Sequence, residues 1–134
     1  MIDVKDLRIG NWVYDGERTQ FPMFVRTIGE DYVYLDFEGN EGDLWESTLD
    51  DVSGIPITEE LLEKIKFERS DMGTWQLVKD HRHIGYHLPS GFVAMERYED
   101  SGCVSRSTCL NVRYVHELQN LYRCIVRDEL QISL

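Results

Sequence analysis

The chain has 134 residues, 42% of them apolar, a length that holds one core or two joined subdomains and buries roughly 68% of the unfolded surface without staples. With 25 acidic against 14 basic side chains the formal net charge is −11, a field that repels phosphate backbones and argues against direct nucleic-acid binding. The three cysteines, Cys103, Cys109 and Cys124, are odd in number and lack C-x-x-C spacing, which argues against a disulfide framework and a zinc ribbon and fits reduced thiols in a cytoplasm.

In chain order, residues 7–57 read as short β-like runs broken by turn residues, the rhythm of a small antiparallel barrel or meander. Candidate strands are 11–14, 23–28, 32–37 and 44–48, with turns at Asp15-Gly16, Gly29-Glu30-Asp31 and Glu38-Gly39-Asn40. The clearest is 32–37, whose alternation sets Val33, Leu35 and Phe37 on one face and Tyr32, Tyr34 and Asp36 on the other. At Ile55-Pro56-Ile57-Thr58 the pattern changes: Thr58 suits an N-cap, Glu59 and Glu60 suit the positive end of a helix dipole, and a helix is expected over 59–65. The β rhythm returns in 74–79, 83–88 and 92–98, the last two joined at Pro89-Ser90-Gly91, and a fourth strand is expected over 107–112. The strongest helix follows over 114–126, its stripe made by Val115, Leu118, Leu121, Tyr122 and Ile125. Alternation of Leu130, Ile132 and Leu134 with polar residues predicts a terminal strand. The fold expected is therefore α+β: an SH3-like small β-barrel or meander (1–56), then a second subdomain (57–134) of helix, antiparallel sheet and packing helix.

Charge is unevenly placed. Residues 1–63 hold 4 basic and 16 acidic side chains, a net of −12, and 30–63 contain no Lys or Arg. The same half is rich in aromatics. Trp12, Tyr14, Tyr32, Tyr34 and Trp45, with Glu46, Asp50 and Asp51 beside them, are the candidate partner-binding residues. Exposed aromatics on a small barrel can hold a peptide, and the surrounding acid favours a basic protein ligand over nucleic acid. A further reading is an acidic mimic of nucleic acid that inhibits a basic host protein.

Three of four histidines lie in seven residues, His81, His83 and His87. On an extended segment these odd positions share a face, and imidazoles two apart can chelate a metal, which makes a small metal-dependent enzyme the alternative. No carboxylate or Cys on the same strand supplies a further ligand. His116, beside the helix stripe, reads as a boundary histidine. No Gly-x-Ser-x-Gly elbow, phosphate-cradling glycine loop or His-Glu-x-x-His is present, so no catalytic residue is assigned.

Three blocks, Leu7-Arg8-Ile9-Gly10-Asn11-Trp12-Val13, Gly54-Ile55-Pro56-Ile57-Thr58-Glu59-Glu60-Leu61-Leu62 and Tyr114-Val115-His116-Glu117-Leu118-Gln119-Asn120-Leu121-Tyr122, resemble a group of short uncharacterised proteins of gut anaerobic bacteria, often encoded in prophages and mobile elements. That resemblance implies a bacterial or phage origin and carries over no site. The opening block also resembles the start of SH3-like barrels. The expectation is a cytoplasmic, non-enzymatic accessory protein, monomeric or a small homo-oligomer, that binds a protein partner through its acidic amino-terminal face. No cofactor is expected beyond the metal reading, and no membrane association, since no apolar run nears the roughly 20 residues a span needs and charges at Asp3, Lys5 and Asp6 interrupt any export signal.

Overall fold

The computed structural model describes residues 2–16 and 21–134, and its contacts divide the chain into two compact units. The first is Met1–Pro56 with Tyr114–Asn120, and the second Ile57–Arg113 with Leu121–Leu134. The class is α+β, with two five-stranded antiparallel sheets and two α-helices among the described residues.

In the first unit the strands are β1 (Trp12–Asp15), β2 (Pro22–Ile28), β3 (Tyr32–Asp36), β4 (Trp45–Thr48) and β5 (Val52–Gly54), in the order β4-β3-β2-β1-β5. A single 3₁₀ turn, Leu49–Asp51, leads from β4 into β5. The sheet is open, with β4 and β5 as its edges. Alternation decides the inner face: Val13, Val25, Val33, Leu35 and Val52 are fully buried and cluster with Ile2, Leu7 and Met23. β3 stops one residue short of the expected end, because the Asp36 carboxylate accepts the Phe37 backbone N–H at 2.8 Å and the Asn40 amide at 2.9 Å, turning the chain. Asp36 is therefore buried rather than displayed with the two tyrosines.

The second unit opens with α1 (Glu59–Lys64), whose Thr58 hydroxyl accepts the Leu61 N–H at 3.2 Å, the expected cap. A meander follows: β6 (Glu68–Asp71), β7 (Thr74–Lys79), β8 (Arg82–His87), β9 (Phe92–Glu99) and β10 (Gly102–Cys109), paired in sequence order. Trp75, Ile84, Tyr86, Val93 and Met95 are buried in this unit. One strand is additional to those expected, and two expectations need correction. β6 has no apolar residue and is exposed throughout, as an edge strand can be; the turn Met72-Gly73, both at positive φ, pairs it with β7. The strand expected over 107–112 lies instead at Gly102–Cys109, since the turn at Asp100-Ser101 starts the return at once. The tail 130–134 forms no strand, although Leu130 is buried.

The last helix, α2, runs Val115–Val126. Its buried face is Val115, Leu118, Gln119, Tyr122 and Val126, with His116 beside it, whereas Ile125 is 40% exposed. The stripe is rotated from the one apolar spacing suggests because a glutamine occupies its centre. No helix among the described residues is long and apolar enough to cross a membrane.

Candidate functional site

Residues 7–13, 54–56 and 114–120, parts of the three blocks that mark the sequence, meet in the first unit, and what they build there is a clasp rather than a site. The Gln119 carbonyl oxygen accepts the Trp12 backbone N–H at 2.9 Å, and its amide donates to the Gly10 carbonyl at 3.0 Å. Asn11 donates to Asn120 at 2.8 Å while accepting the Arg8 N–H at 2.7 Å, and Arg8 reaches Asn120 from the side at 2.7 Å. Asn120 in turn donates to the Asp6 carbonyl at 2.7 Å. The middle block contributes backbone: Ile55 accepts the Val115 N–H at 2.9 Å, and Gly54 lies against Tyr114 so closely that a Cβ there would stand 2.6 Å from the ring. Side-chain amides that both donate and accept in this way hold one arrangement of the three segments.

The candidate partner-binding residues separate by burial. Trp12 is 5% exposed and packs edge-on against Phe24 with ring centroids 5.3 Å apart, so it is not part of a free surface. Trp45 packs against the core cluster, and its indole N–H donates to Asp15 at 2.6 Å. Tyr14 is half-buried. What remains is a compact outer patch: Tyr32 and Tyr34 are 46% and 37% exposed, two apart on β3 and hence side by side. The register sets Glu46 opposite Tyr34 and Thr48 opposite Tyr32. Glu46 and Asp50 are exposed, and Asp51 is half-buried with its carboxylate accepting the Thr48 hydroxyl at 2.9 Å.

At the margin of this patch Arg26 pairs with Asp36 at 3.2 Å and lies over the Phe24 ring at 5.8 Å. The Asn40 amide above all, then the Phe37 N–H and Arg26, holds the Asp36 carboxyl below the usual carboxylate range. One cation is thereby tied down, and the field of the patch stays negative.

The structure does not gather the three histidines. Residues 81 and 87 span roughly 20 Å on an extended chain, and 83 and 87 roughly 13 Å, both far beyond one coordination sphere. His81 falls in the turn before β8. His83 packs on Tyr98 with rings 4.4 Å apart, and His87 Nδ1 lies 2.6 Å from the Ser90 hydroxyl. Among the described residues, no group of three or more His, Cys, Asp or Glu side chains could hold a metal ion. All three cysteines are free.

His116, expected at a boundary, is 4% exposed, its ring is stacked near Tyr114 at 5.9 Å, and its Nδ1 has no hydrogen-bond partner. Burial pushes its pKa below the ordinary 6.5, against a smaller opposing pull from Glu117 and Asp6. The unfolded chain therefore binds the proton more readily, and stability is complete above about pH 6.5 and declines as the pH falls below it. A thermal-unfolding series across this range is expected to show that decline, and His116→Phe, which cannot take a proton, to flatten it. The loss that sets in below about pH 3.8, where Asp36 and Asp128 with their lowered pKa values take up protons, is expected to persist in that variant.

Compared with known proteins, the chain matches no family model, no curated protein and no solved structure.

Proposed function

We propose that this chain is a non-enzymatic binding protein, an accessory factor of a phage or mobile element, that holds a basic, extended segment of a protein partner on the Tyr32–Tyr34–Glu46 face. The observation that carries the reading is the pair of exposed tyrosines flanked in register by an exposed carboxylate, within a stretch that has no Lys or Arg from residue 30 to 63. Tyrosines supply rigid contact area and carboxylates select a cationic ligand. Two features support an SH3-like reading of the first unit: the strand order β4-β3-β2-β1-β5 and the 3₁₀ turn between β4 and β5. Grooves lined by aromatics on such sheets take extended peptides.

A fluorescent peptide of alternating Arg and Pro is the defined probe, and capture from host lysate with and without nuclease is the companion experiment. Tyr34→Ala is expected to weaken both by about tenfold, near 1.4 kcal/mol. Tyr34→Thr, which keeps the strand propensity, should weaken them as well while the melting temperature holds. Glu46→Gln with Asp50→Asn is expected to flatten the salt dependence of binding. Peptide affinity and captured yield unaltered in the tyrosine variants would remove this face as the contact.

A further inference from the structure

The second unit has a cleft of about 240 Å³ on the inner face of its sheet, below the end of α2. The register builds it in two rows. Arg82 on β8 stands opposite Arg97 on β9, which stands opposite Ser105 on β10; along the sheet, Ile84 stands opposite Met95, and Met95 opposite Ser107. The end of α2 adds Ile125, Val126 and Arg127. A cationic row thus adjoins an apolar one.

Like charges directly opposite on paired strands are destabilising, and little here offsets Arg82 against Arg97. Arg82 Nη1 donates to the Val126 carbonyl at 2.6 Å, an uncharged partner that fixes the guanidinium without neutralising it. Arg97 lies 3.7 Å from Glu99, with both side chains more than half exposed, a weak pair. Glu96 and His83 also border the cleft, and the Glu96 carboxylate accepts the Tyr98 hydroxyl at 3.1 Å. Glu96 keeps its charge, so three guanidiniums and one carboxylate line the cleft, with Glu99 only weakly paired to Arg97 beside it, a local cationic excess in a chain whose net charge is −11.

We propose that this cleft binds a small amphipathic anion, a carboxylate or phosphate head on a short apolar body. Guanidinium forks and the Ser105 hydroxyl donate to the head, and Ile84, Met95 and Ile125 cover the body. The opposed arginines are the stability cost of that site.

Hexanoate and hexyl phosphate are the probes, hexylammonium the control, read by amide chemical shifts of the full chain. Saturable shifts at 82–84, 95–97, 105–107 and 125–127 with either anion, and none with the amine, are expected; the tighter anion names the head group. Arg97→Gln is expected to weaken binding at least about tenfold without lowering the melting temperature, because it removes one of two opposed cations. Should that variant fold poorly, Arg127→Gln, at an exposed position, is expected to weaken binding in the same direction. The proposal is overturned by no saturable shift up to about 10 mM of either anion, by equal binding of hexylammonium, or by undiminished affinity in the folded arginine variants.

Discussion

Gln119→Leu is expected to destabilise the protein by about 1–4 kcal/mol in urea unfolding, although the two side chains are of similar size. The variant strips a partner from the buried Trp12 N–H, which Gln119 contacts at 2.9 Å, and one, at 3.0 Å, from the carbonyl of Gly10, an exposed residue whose oxygen water can reach. The Trp12 N–H, left unsatisfied away from water, costs about 1–3 kcal/mol, and the Gly10 carbonyl adds less. Asn11 also loses its longer, 3.5 Å contact to the Gln119 oxygen but keeps Asn120, so its share of the loss is smaller. Gln119→Glu keeps the acceptor, loses the donor to Gly10 and brings a charge into a site 4% exposed; it is expected to cost a similar amount. A loss below about 0.5 kcal/mol, the range of an ordinary surface change, would mean that the clasp does not hold the first unit together.

Gly91→Val is expected to cost about 2–5 kcal/mol, with Gly91→Ala at the lower end. Gly91 has φ +69°, where a β-branched residue is strained by about 1–3 kcal/mol. A Cβ there would also stand 2.9 Å from the Val112 carbonyl oxygen and 3.1 Å from its nitrogen. That backbone cannot retreat: the Val112 N–H donates to Gly91 at 2.8 Å, and the Val112 carbonyl accepts the Tyr86 hydroxyl at 2.7 Å. Overpacking against fixed backbone adds about 1–3 kcal/mol. Thermal unfolding checks the ranking Val above Ala above wild type; an Ala variant as stable as the parent would show that the turn shifts freely.

Most strands were legible because each has one buried face. Val33 and Leu35 alternate with Tyr32 and Tyr34, and the period of two survives any tertiary arrangement. The cap of α1 was legible because Thr58 acts within four residues of itself. β6 was not, since an all-polar edge strand carries no apolar period and exists only through β7. For the same reason the tail misled: Leu130, Ile132 and Leu134 alternate, yet pair with no strand.

Of the candidate sites, the tyrosine patch was visible in sequence and the cleft was not. Trp12 and Trp45 could not be told from Tyr32 and Tyr34 by type, because exposure is set by what packs opposite. Arg82, Arg97 and Arg127 lie up to 45 positions apart, and only the β8-β9 register and the end of α2 bring them to one place.

From the sequence alone came the class, the run of strands and helices, and the asymmetry of charge, since periodicity, capping and ionisation are local properties that each residue carries wherever the chain goes. Tertiary structure decided the pairing of β6, the rotation of α2 toward Gln119, and the return of Tyr114–Asn120 to the first unit. It also decided that the histidines stay apart while the arginines converge. These outcomes depend on which distant groups satisfy buried amides and which strands share hydrogen bonds, and no stretch of chain holds both partners.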